Sequence, residues 1–150
     1  MKKIKRKYKE WEDVTTLDRK YRQLWVKEED NGREVLAGRR LIRMNTEEAE
    51  VLLKYCKLAK ERIVEIGRRY GGSTFLITEG SSVPVISIDK TIKKTSHILN
   101  EYIKSGRLTL ITQQSQNVKL DDKYDALFVD GDHSYQGVKR DIYNFWKNLT

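Results

Sequence analysis

The chain has one cysteine, one proline and no long apolar run, and two of these scarcities close off whole classes of function. A lone Cys56 permits no internal disulfide and no zinc site built from several cysteines. It lies among Leu52, Leu53 and Leu58 in a helical pattern, which reads as a buried structural thiol without chemistry of its own. No stretch approaches the roughly 18 to 20 apolar residues of a membrane span, and the lysine-rich start lacks the apolar run of a signal peptide. A cytoplasmic protein with no membrane contact is expected.

Acidic residues are also in short supply, with 22 against 30 lysines and arginines, for a net charge of +8. The surplus is local: Lys2, Lys3, Lys5, Arg6, Lys7 and Lys9 crowd the first nine residues. Such a tail can attract nucleic acid or an acidic partner in a salt-sensitive way, and its plainer reading is a solvated terminus. The remaining sequence suits one domain, since 150 residues with 38% hydrophobic content are enough for a core.

Residues 63 to 74 read Ile-Val-Glu-Ile-Gly-Arg-Arg-Tyr-Gly-Gly-Ser-Thr. An apolar strand runs into a carboxylate, then a glycine loop, then a Ser/Thr start for a helix. Gly67 opens the turn, and Gly71 and Gly72 leave the loop bare where it meets Ser73, so backbone N–H groups can approach a ligand closely. No lysine stands where a phosphate-cradling P-loop needs one, and Arg69 breaks the G-x-G-x-x-G dinucleotide pattern. Glu65 would also repel a pyrophosphate, so a ligand with cationic or hydroxyl groups suits the loop better.

Periodicity divides the chain into helices and strands. Trp11, Val14, Leu17, Tyr21, Leu24 and Trp25 form an amphipathic helical stripe, able to pack on the main domain or to cover its site, and Asp30-Asn31-Gly32 follows as a turn. Thr46, Glu47 and Glu48 start a helix whose apolar positions are Val51, Leu52, Tyr55, Leu58 and Ala59. Short apolar runs at 62 to 66, 83 to 88, 108 to 112 and 126 to 130 are strand candidates. Between them lie a helix through Phe75, Leu76 and Ile77 and another over 91 to 105, with Ile92, Ile98, Leu99, Tyr102 and Ile103 and with Gly106 as its cap. A last helix puts Val138, Ile142, Phe145, Trp146 and Leu149 on one face. This alternation predicts a parallel α/β sheet covered on both sides.

Glu65, Asp89 and Asp130 each close a predicted strand, and ligands of parallel sheets bind beyond the carboxyl ends of strands. Three acids should therefore share one rim with the glycine loop. A structural reading stands beside this one, with Asp89 capping the next helix and Asp130 bracing a turn.

The strings Val-Glu-Ile-Gly-x-x-x-Gly-Gly-Ser-Thr (64 to 74), Ile-Ser-Ile-Asp (86 to 89) and Phe-Val-Asp-Gly-Asp-His-Ser-Tyr-Gln-Gly-Val-Lys-Arg-Asp (128 to 141) resemble class I S-adenosylmethionine-dependent methyltransferases. The branch they resemble holds sugar and macrolide O-methyltransferases and cephalosporin hydroxylase-like proteins. The resemblance spans about 46 to 149 and divides the chain into a basic tail with a helical segment (1–45) and a cofactor-binding domain (46–150). It implies a Rossmann-like three-layer sandwich with strand order 3-2-1-4.

It also implies roles. Glu65, Gly67, Gly71, Gly72 and Ser73 would hold the amino acid end of S-adenosylmethionine, with the Glu65 carboxylate matching its ammonium. Asp89 would accept hydrogen bonds from the ribose hydroxyls, and Ser115 would meet adenine, with Gln114 in place of the acid often found there. In metal-dependent relatives an acid like Asp130 binds a divalent ion such as Mg2+, and a base like His133 takes the acceptor's proton. His133 also suits a packing role at a helix start.

The complete fold of that family continues into a fifth strand and a hairpin, whereas this sequence stops at Thr150. The acids that would complete a metal site are therefore expected to be missing, and the fourth strand to be an edge. A longer protein, a second copy or the N-terminal segment would cover that edge. The first functional expectation is an O-methyltransferase, or its cofactor-binding half, acting on a sugar or small-metabolite hydroxyl. The second is a noncatalytic module that uses its tail on nucleic acid or a partner. A nucleic-acid methyltransferase is disfavoured, because the Asn/Asp-Pro-Pro-aromatic motif is absent and Pro84 is the only proline.

Overall fold

A computed structural model describes Ile42, Met44, residues 46–91 and residues 97–150. The basic tail, the stripe at 10–27, the turn at 30–32 and the start of the helix expected from Thr91 lie outside the described residues. The elements run α1 (Thr46–Cys56), β1 (Ile63–Ile66), α2 (Gly72–Gly80), β2 (Val85–Asp89), α3 (Asn100–Lys104), β3 (Leu108–Thr112), β4 (Ala126–Val129) and α4 (Tyr135–Trp146). A 3-10 turn at His97–Leu99 leads into α3, and another at Ser115–Asn117 follows β3.

All three strand pairings are parallel, and the order is β3-β2-β1-β4. Each strand is four or five residues long and β1 is buried on both faces, so it reads as an apolar run rather than an alternation. The expected fold class holds, down to the strand order.

The pleat sends alternate side chains of a strand to opposite faces. Ile63, Val85 and Leu108 join Leu53, Phe75, Leu76, Ile77 and Leu99 in one core, roofed by α1 and α2. Val64, Ile66 and Ile88 join Tyr124 and Phe145 in the other, covered by α4. Ile42 is buried in the first core although it lies before the expected boundary at 46. Cys56 is buried there too, and burial pushes its thiol up to about 12, as befits a structural cysteine.

Two helices pack through a different stripe from the one their spacing suggested. In α1 the buried positions are Ala49, Leu53 and Cys56, while Val51, Tyr55 and, just after the helix, Leu58 are exposed. In α4 only Gly137, Asp141 and Phe145 are buried, and Ile142 and Trp146 face outward. Leu149 lies past the helix, where it bridges in parallel to Tyr124 at the entry of β4.

Candidate functional site

The loop between β1 and α2 is shaped by backbone that side chains tolerate poorly. Gly67 has φ +95°, and a Cβ there would lie 2.2 Å from the carbonyl oxygen of Asp130. Only glycine lets the loop pass this close to the end of β4. Gly71 has φ +100° and caps α2 without any side-chain hydrogen bond to the helix start. The first turn of α2 therefore keeps unsatisfied N–H groups and the positive end of its dipole, which suits a carboxylate or other anion.

That helix start opens on a cleft of about 920 Å³ beyond the carboxyl ends of the strands. Gly67, Gly72 and Ser73 line one side, Asp89 the end of β2, Gln113, Gln114 and Ser115 the turn after β3, and Asp130 and His133 the end of β4. Seven of the nine residues singled out in the sequence meet here.

Glu65 and Gly71 do not line the cleft. Glu65 is on the inward side of β1 and is 0% exposed. Its carboxylate accepts hydrogen bonds from the hydroxyls of Ser73, Thr74 and Ser87, joining β1 to the first turn of α2 and to β2. Burial raises its pKa above the usual carboxylate range, against the pull of those three hydroxyls and of Arg68. Of its three hydroxyl partners, Ser73 lines the cleft. Gly71 is buried against Leu99, and its part is conformational.

Asp89 sits in the opposite condition. Burial alone would raise its pKa, but hydrogen bonds from the backbone N–H groups of Thr91 and Arg69 and from the Thr91 hydroxyl hold it below the usual range. It is an ionised acceptor at the cleft wall. It caps no helix through its side chain among the described residues, and its partners are the loops on either side of it.

Asp130 follows β4, with its N–H donating to Ile66 O at 2.8 Å. His133 Nε2 stands 3.4 Å from Asp130 Oδ1, and both side chains are largely open to solvent. Ser134 caps α4 by accepting from Gly137 N at 3.0 Å, so His133 does not serve as the cap. Asp132 accepts from Ser134 N at 2.9 Å, and its pKa lies below the usual range because of Ser134 and, at longer range, Arg140 and Lys90. Among the described residues no three His, Cys, Asp or Glu side chains gather as a metal site.

Two residues at the cleft escaped the sequence reading. Asp141 is buried and accepts from the Ser115 hydroxyl, tying α4 to the turn after β3. A charged residue four positions from both Gly137 and Phe145 was the available signal for it. Arg68 is buried beneath the cleft, and nothing in a loop pattern announces where such a side chain will turn.

A family of methyltransferase domains matches residues 64–150. No curated protein matches the chain. Among solved structures, an O-methyltransferase from Bacillus cereus in complex with SAH is similar with a TM-score of 0.61 at 20% identity, over 93% of this chain and 70% of that one. The SAH-bound methyltransferase PaMTH1 of Podospora anserina has a TM-score of 0.60 at 21% identity, over 72% of this chain and 50% of its own. The N-methyltransferase NodS of Bradyrhizobium japonicum, also with SAH, has 0.56 at 15%, over 69% and 56%. This chain thus spans about half the length of the Podospora and Bradyrhizobium proteins. These likenesses show the shared fold, and with more than half of its length matched by the family, the chain belongs to the methyltransferase-domain family.

Proposed function

We propose that the chain carries the S-adenosylmethionine site of a methyltransferase whose acceptor is a hydroxyl of a sugar or another small metabolite. The observation that carries this reading is the single cleft uniting an uncapped helix start, an ionised Asp89 and the polar turn Gln113–Ser115 at the ends of adjacent parallel strands. The donor set fits the cofactor. N–H groups of α2 and Ser73 would hold the amino acid end, Asp89 the ribose hydroxyls, and Gln113, Gln114 and Ser115 the adenine end. When bound, the cofactor supplies a methyl carbon made electrophilic by its sulfonium.

The protein's own work is then positioning and proton management. Asp130 favours the tautomer in which His133 Nε2 carries the proton, leaving Nδ1 as the base. A base placed there suits a hydroxyl acceptor, which must lose its proton as the new bond forms. Among the described residues no third His, Cys, Asp or Glu gathers with Asp130 and His133, and no step in this reading is routed through Mg2+.

Isothermal titration with S-adenosylmethionine and S-adenosylhomocysteine tests the proposal. Micromolar binding supports it, and no binding up to millimolar ligand removes it. An assembly role is the second reading, favoured by exposed Tyr135, Ile142, Tyr143 and Trp146 on α4, exposed Val51 and Tyr55 on α1 and exposed Leu58 just after it. Further chain or a second copy would cover these side chains. Sedimentation velocity distinguishes the two, and a monomer at all concentrations dismisses the second copy.

A further inference from the structure

Arg68 directly follows the glycine that opens the loop, yet its side chain is 3% exposed. It reaches across the sheet rather than out to solvent. Nη1 donates to Ser87 O on β2 at 2.7 Å and to Ile111 O on β3 at 3.5 Å, while Nη2 donates to Thr112 Oγ1 at 3.4 Å. Only the first of these is short. The buried Nε has no hydrogen-bond partner.

This is a poor bargain for a structural strut. A guanidinium has five N–H donors, and a buried cation is costly unless its donors are met and a counter-charge is near. No carboxylate among the described residues is within ion-pair distance of Arg68, although Asp89 and Glu65 act on it from farther away. Burial lowers its pKa against the pull of both acids.

Its position supplies what its pairing lacks. Arg68 lines the cleft floor between Asp89 at the end of β2 and Gln113–Ser115 beyond β3. A flat guanidinium there can lie against the face of a planar ring while its edge donates in its own plane to an oxygen of the attached sugar.

We propose that Arg68 is a nucleoside-recognition residue, forming the floor under the nucleoside end of the ligand and donating to a ribose oxygen. The proposal rests on the reading of the cleft as an adenosyl site. It adds a charged, planar donor under the nucleoside, which the glycine loop, Asp89 and the neutral Gln113–Ser115 turn do not provide.

The test is titration of wild type, Arg68→Met, Arg68→Gln and Arg68→Lys with adenosine and with S-adenosylhomocysteine, each variant also melted thermally. Arg68→Met and Arg68→Gln should weaken both ligands by the same factor, about ten- to a hundredfold, because a charged donor is lost from the part the two ligands share. Arg68→Lys keeps the charge but not the plane, and should recover only part of the loss. Unchanged binding in a folded variant with an altered melting temperature overturns the proposal and makes Arg68 a strut. Loss of S-adenosylhomocysteine binding without loss of adenosine binding also overturns it. If the Met and Gln variants fail to fold, the Lys variant decides alone: wild-type affinity for both ligands overturns the proposal, and a matched loss in both supports it. If wild type binds neither ligand, the cofactor reading itself falls, a result distinct from these.

Discussion

The support beneath the cleft and the rim of that cleft are built on opposite principles. Beneath the cleft, Glu65 on β1 is sealed from water with three hydroxyl donors. After β4, Asp130 and His133 stand in solvent with a single 3.4 Å contact between them. Groups in the first set are locked into geometry and their loss is felt by the whole fold. Those in the second face solvent, and under the proposed function their loss is felt by chemistry. The contrast separates residues that hold the fold from residues that face the cleft.

Replacing the support beneath the cleft should do the most damage. Glu65→Ala strands three hydroxyl groups in the core, two of them buried, and should cost about 3 kcal/mol or more in urea unfolding. A cost below about 1 kcal/mol would place Glu65 with the rim. Next comes the seam between the regions. Gly67→Ala forces a Cβ onto the Asp130 carbonyl at a φ that L-residues resist, and should cost about 2 kcal/mol and weaken S-adenosylhomocysteine binding.

Titration sharpens the contrast further. The folded pKa of Glu65 is raised, so its contribution to stability is best at low pH and declines as pH rises from its unfolded value of about 4.3 through the folded one. For Asp89 the folded pKa is lowered, so its contribution is present above about 3.9 and is lost as pH falls through the folded value. Glu65→Gln should therefore remove a decline in stability toward neutral pH, whereas Asp89→Asn should flatten the acid limb. Unfolding free energies measured across pH with both variants check the signs, and parallel curves would erase the distinction.

The smallest effect on stability should come from the rim. His133→Ala should change unfolding free energy by less than about 0.5 kcal/mol, because the side chain is exposed. With an accepted substrate, the same variant should lower kcat by about a hundredfold. Equal kcat in wild type and variant would leave His133 with no chemistry.

Much of this organisation was legible in the chain itself. Four short apolar runs separated by helical spacing require a parallel sheet, and the glycine string marks where it approaches a ligand. Helix faces were harder to read. Apolar residues surround α1 on several sides, and periodicity does not say whether Leu53 and Cys56 or Val51 and Tyr55 meet the sheet. Arg68 and Asp141 were harder still, because a loop turn and a helix rotation decide which way a charged side chain points.

Local chemistry in the sequence thus set the strands, the loop and the three acids that close or follow them, since apolar spacing and glycine act over a few residues. Assembly alone assigned those acids their conditions. The pleat turned Glu65 into the core under α2, while adjacent loops gave Asp89 its N–H partners and left Asp130 in water. Burial and hydrogen bonding depend on neighbours distant in sequence, and these determine whether a carboxylate braces the fold or faces a ligand.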